Sequence, residues 1–195
     1  MKKFKIICYI TFILVIPMFF GVYTDFFWRR EVELNIILFL VLGFFLLLLI
    51  GGVINNHCFN ETDIKLMRLH NVVDALINRN IVILWFFFPI TMIMEELIFR
   101  YYLISFLALT LKIKIITSIF ISSLAFSLYH IHTWFSYKSQ KILLINLGYT
   151  LILGLYNGYI FFTLGLIPCI IIHYLIAFYL YYNLYRKNFK MYENT

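Results

Sequence analysis

The chain is a series of long apolar stretches separated by short polar breaks. The apolar stretches run over about Phe4–Tyr23, Leu34–Ile54, Ile81–Leu109, Ile115–Trp134, Ile142–Phe162 and Gly165–Tyr185. Each approaches or exceeds the roughly 20 residues a helix needs to cross a bilayer. The pattern predicts an all-α fold, a polytopic membrane bundle of about six transmembrane helices. The third stretch is the longest, so it is tilted or locally broken, and Pro89 marks the place for a kink. The first opens on Lys2, Lys3 and Lys5, as a signal peptide does. Its apolar run is too long for one and lacks a small-x-small cleavage site, so it reads as a retained anchor.

The longest break, Asn55–Asn80, is not featureless. Ile64, Met67, Leu69, Val73, Leu76 and Ile77 fall at nearly helical spacing. That predicts a helix lying on the membrane with its polar side outward. His57 and His70 lie in this loop and read as solvated.

Composition supports the membrane reading. The chain of 195 residues is 64% hydrophobic and 13% charged, where a soluble domain holds about one quarter charged residues. Lysine and arginine are distributed unevenly. Lys2, Lys3, Lys5, Lys65, Arg68, Arg79, Lys138, Lys141, Arg186, Lys187 and Lys190 fall on one side of the predicted spans. Arg29, Arg30, Lys112 and Lys114 fall on the other. The positive-inside rule then places both termini in the cytoplasm, in a multi-pass protein of the cytoplasmic membrane. The net charge of +7 follows from this bias and suits anionic lipid at the inner surface. It does not suggest nucleic acid. Cys8, Cys58 and Cys169 fall in different segments and form no CxxC, so neither a disulfide nor a metal motif is indicated.

Glu95, Glu96 and Arg100 lie inside the third apolar stretch. Such groups cost about 3 kcal/mol each in hydrocarbon even on the lenient insertion scale, and mark functional sites by default. Glu96 and Arg100 are spaced i, i+4, so they share a helix face and can pair. Glu95 is rotated by about 100° from Glu96. It is left free to face a polar cavity as a general base. His130 in the fourth stretch and His173 in the sixth are further polar groups at membrane depth, and the three converge if the helices tilt. His132 reads as an interface residue beside Trp134. Gly154 and Gly158 form a GxxxG that favours close helix packing, and Asn146 and Asn157 read as polar links between helices, with either able to face the site.

Glu95-Glu96-x-x-x-Arg100, Phe126-x-x-x-His130 and the later His173 resemble the ordered motifs of the CAAX prenyl protease type II and bacteriocin-processing family, also called the Abi family. The segment from Gly154 through Pro168 to His173 looks like that family's closing region. The resemblance covers about Ile81–Tyr182. It implies two N-terminal helices and an interfacial loop over 1–80, a four-helix catalytic core over 81–185, and a cytoplasmic tail over 186–195. It further implies an intramembrane endopeptidase in which Glu95 and His130 activate a water and His173 stabilises the oxyanion. Glu96, Arg100 and Phe126 would support them. The implied partners are the bilayer and a peptide or prenylated protein substrate. In the family an asparagine or aspartate follows four residues after the last histidine, whereas here that position is Ala177. Losing one oxyanion donor typically costs about 10²–10³ in rate, so Asn146, Asn157 or Tyr149 would have to substitute, or the protein is slow or non-proteolytic. The non-proteolytic alternative is a bacteriocin-immunity or membrane interaction protein of the same fold. A site without cofactor is expected, since no HExxH is present. The alternative is zinc held by Glu95, His130 and His173.

Overall fold

The computed structural model describes residues 2–28 and 33–193, with side chains over 3–28 and 33–188. Arg29 and Arg30, counted above with one side of the membrane, lie outside the described residues, as do the side chains of Lys2 and Lys190. Among the described residues the fold is all-helical, without strands. The helices are α1 (Lys2–Phe19), α2 (Leu34–Val53), α3 (Glu61–Met67), α4 (Asn71–Ile77), α5 (Phe88–Glu96), α6 (Ile115–Tyr129), α7 (His132–Tyr137), α8 (Gln140–Leu164) and α9 (Leu166–Glu193).

Among the described residues four helical segments are long and apolar enough to cross a membrane: Leu34–Cys58, Ile115–Tyr137, Gln140–Leu164 and Leu166–Asn188. The expected count of about six is not confirmed on that measure. The first helix ends at Phe19 rather than Tyr23 and is only 18 residues long. The third stretch is wound unevenly. It is π-helical over Ile83–Phe87, α-helical over Phe88–Glu96, and π-helical again over Leu97–Ile104 and Phe106–Thr110. Pro89 opens α5 directly after the π-helical Ile83–Phe87, where it supplies no N–H to the preceding turn. Outward-facing residues of α1 and α2, such as Phe12, Phe19, Leu42 and Phe45, are exposed and apolar, as a lipid solvent requires.

The helices are tied together by close backbone approach and by tyrosines. A Cβ on Gly154 would come within 3.0 Å of Ser123 Cβ, and one on Gly158 within 2.7 Å of Ile119. The GxxxG of α8 therefore lets α6 pack directly against it. Gly165, at φ +97°, turns the chain from α8 into α9, and a side chain there would strike the carbonyls of Phe26 and Phe27. Tyr156 donates to the carbonyl of Leu40 at 2.6 Å, Tyr149 to that of Leu47 at 3.1 Å, and Tyr101 to that of Val22 at 2.5 Å. A hydroxyl has no water to bond in hydrocarbon, so such links hold α2 and the end of α1 to the interior helices.

The Asn55–Asn80 loop forms two short helices rather than one. Asn60 and Asp63 cap α3 reciprocally, and Asp63 also pairs with Lys141 at 2.7 Å, fixing α3 to the start of α8. Ile64 and Val73 are buried as the spacing implies, but Leu69 is 69% exposed. It lies in the turn between the two helices, so the single apolar face does not continue through it.

Candidate active site

Glu96 is the hub of the interior. It is fully buried and all its neighbours come from other turns or other helices. Arg100 places Nε 3.3 Å from Oε2, the i, i+4 pair anticipated from the spacing. Oε1 receives Nδ1 of His173 at 2.6 Å and Nδ2 of Asn157 at 3.1 Å. Oε2 receives the thiol of Cys169 at 2.9 Å. The Arg100 guanidinium also lies over the Phe126 ring, 4.1 Å from its centroid, a cation–π contact that gains strength where water is excluded. Glu96 is thus held by α8 and α9 as well as by its own helix.

Glu95, one residue earlier, is turned elsewhere. It is 5% exposed and its Oε2 has no hydrogen-bond partner. Nε2 of His173 lies 3.9 Å from Oε2. Glu95 opens onto a cavity of about 210 Å³ that His130 and His173 also line. The rest of the wall is largely apolar, with Ile54, Phe88, Met92 and Leu153 among its residues.

His130 reaches the cavity because α6 stops there. It caps the C-terminus of α6, and α7 restarts two residues later, so the expected straight span Ile115–Trp134 is broken. Its Nδ1 lies 2.9 Å from the carbonyl of Phe126. A carbonyl only accepts, so Nδ1 carries the proton and Nε2 is left with a lone pair. Phe126 stands edge-on to both histidines, with ring centroids 4.7 Å from His130 and 5.6 Å from His173. It is wholly buried and separates the two rings.

Asn146 and Tyr149 line the cavity, though the Tyr149 hydroxyl is engaged with Leu47. Asn157 is not among the lining residues. Its amide is committed to Glu96, so the structure does not bring it forward as a donor for the site. Ala177 lines the wall, packed with Val72, Phe88 and Met92.

Two residues had other readings from sequence. His70 is half-buried rather than fully solvated. Its ring stacks on Tyr181 at 4.3 Å, its Nε2 meets the Tyr181 hydroxyl at 3.1 Å, and it lines the cavity. Burial pushes its imidazole down to about 3, with the charge of Lys3 the next cause. His132 is exposed, in keeping with an interface position, and also borders the cavity, its ring 5.7 Å from that of His130. Cys169, set aside for want of a motif, is a direct partner of Glu96. Its one sequence signal was its position four residues before His173, on the same face of α9.

Among the described residues no three His, Cys, Asp or Glu side chains are grouped so as to hold a metal ion.

No curated protein and no solved structure matches the chain. A family model does. It is described as type II CAAX prenyl endopeptidase, Rce1-like, and it matches residues 77–179, just over half of the chain, including Glu95, His130 and His173. With its apolar membrane-length helices and this match, the chain is a membrane protein that belongs to the Rce1-like type II CAAX prenyl endopeptidase family.

Proposed function

We propose that the protein is an intramembrane endopeptidase in which Glu95 and His130 aim a water at a peptide carbonyl. The observation that carries this reading is the unpartnered Glu95 oxygen in a cavity shared with both histidines. An unsatisfied buried polar group costs about 1–3 kcal/mol, more when charged. A water satisfies it by donating one proton to Glu95 and the other to the Nε2 lone pair of His130.

Glu95 takes a proton from the water as the water oxygen bonds to the carbonyl carbon, and the C=O electron pair moves to the oxygen. His173 stabilises the resulting oxyanion. Its Nδ1–H is given to Glu96, so Nε2 needs a proton of its own to donate. When the C–N bond breaks, Glu95 returns its proton to the leaving amine. A carboxylic acid and an amine result, and Glu95 is again a carboxylate.

The apolar wall suits a membrane-associated substrate: a prenylated protein or the precursor of a secreted peptide. We read α1 and the unevenly wound third segment as crossing the bilayer with the other four, both termini being cytoplasmic. A second reading rests on Ala177. An apolar patch stands where the family pattern has an oxyanion donor, which favours a non-catalytic immunity or interaction protein of the same fold. The deciding experiment presents prenylated CAAX peptides and secreted-peptide precursors to wild type and Glu95→Gln in liposomes. Cleavage by wild type alone supports the protease. No cleavage of any precursor, with a partner-binding or immunity phenotype kept in Glu95→Gln, supports the interaction protein.

A further inference from the structure

We propose that Cys169 is a positioning residue. Its thiol, acting through Glu96, holds the His173 ring so that Nε2 faces the cavity. The proposal rests on the proteolytic reading of the site.

The two oxygens of Glu96 are not equally held. Oε1 accepts from His173 and Asn157. Oε2 faces the guanidinium of Arg100 at 3.3 Å, but none of the Arg100 nitrogens makes a hydrogen bond. That contact is attraction between charges, without a directed N–H. Among the described residues the Cys169 thiol is the one hydrogen-bond donor on Oε2. The terminal torsion of a glutamate is soft. Without the thiol, the carboxylate loses its directed contact on the Oε2 side and shifts about that torsion. Oε1 moves with Oε2, and the 2.6 Å bond to Nδ1 carries the imidazole along.

Helix geometry makes this coupling direct. Cys169 and His173 are one turn apart on α9 and meet the same carboxylate from the same face. The thiol has one proton and two acceptors in reach, Glu96 Oε2 at 2.9 Å and the carbonyl of Asn157 at 3.3 Å. The charged and nearer acceptor wins. Cys169 is fully buried and free of any disulfide, which leaves this hydrogen bond as its distinguishing feature.

The test uses full-length protein carrying Cys8→Ser and Cys58→Ser, so that one thiol remains. Cys169→Ala removes the donor, Cys169→Val removes it while filling the space, and Cys169→Ser restores a donor. Three readouts are taken: the infrared S–H stretching band, the ring ¹⁵N signals of His173 assigned with His173→Gln, and kcat against KM. The S–H band of the parent is expected at lower frequency than that of a free thiol. Ala and Val are expected to shift the His173 signals and to lower kcat about ten-fold with KM unchanged, since small misplacements of a catalytic group cost rate. Ser is expected to recover both. A packing role predicts the opposite order, with Val active and Ser impaired, and that result overturns the proposal. So do His173 signals that are the same in all variants. If the parent cleaves no precursor, the proteolytic reading fails instead, and the ring signals alone decide whether the thiol holds His173.

Discussion

Nδ1 of His173 lies 2.6 Å from Oε1 of Glu96. The ring is anchored to the glutamate that pairs with Arg100, and its other nitrogen is left pointing toward Glu95 at 3.9 Å. One imidazole therefore lies between two adjacent glutamates in different states: one held by donors from two other helices, the other with an oxygen that has no hydrogen-bond partner.

The first consequence is for folding. Glu96→Gln leaves Arg100 buried without its counter-charge. Removing one partner of a buried pair typically costs about 3–5 kcal/mol. The expected outcome is a sharp loss of monodisperse protein after detergent extraction, read by size-exclusion chromatography and thermal denaturation. Wild-type yield and melting would show that Glu96 is not the hub described.

The two asparagines separate in the same way. Asn157 donates to Glu96 and is fully buried, whereas Asn146 borders the cavity. Asn157→Ala is expected to lower thermal stability by about 1–3 kcal/mol, the cost of leaving a buried charged acceptor short of a donor. Asn146→Ala is expected to melt like wild type and to change cleavage alone. Equal melting of the two variants would contradict the assignment.

How far the sequence could be read varied from residue to residue. The Glu96–Arg100 pair and the turning of Glu95 away from it were legible, because both depend on helical geometry within one segment. That His130 and His173 share the cavity with Glu95 depends on α6 ending at His130 and on how α9 packs, which spacing alone does not set. Asn157 and Cys169 reach Glu96 from two other helices, so their roles are visible only once those helices are placed. The π-helical turns over Leu97–Ile104 escaped a reading that assumed 3.6 residues per turn throughout. His70 read as a loop residue because nothing local marks its stacking on Tyr181, 111 residues away.

The membrane topology has its own check. Lys112 and Lys138 flank α6 and α7 on opposite ends of one expected span. Reporter fusions at the two positions are expected to lie on opposite sides of the membrane, Lys138 in the cytoplasm, in line with the positive-inside distribution. The same side for both would overturn the arrangement.

Ala177 is expected to mark a modified oxyanion site rather than an inert one. One absent donor removes about 3–4 kcal/mol of transition-state stabilisation, and His173 remains. Ala177→Asn is expected to raise the cleavage rate or leave it unchanged, while His173→Ala lowers it by at least about 10²-fold. A large loss on Ala177→Asn, in protein that melts normally, would show that the apolar wall is needed as it stands.

The central claim is that Glu95, alone of the two glutamates, performs the chemistry. It is tested most directly by the cleavage rate of Glu95→Gln against wild type on one precursor in liposomes, with folded yield measured alongside. The amide keeps the shape of the side chain and removes its capacity to take a proton. The expected result is wild-type yield with cleavage lost. Equal cleavage by the two proteins would contradict it.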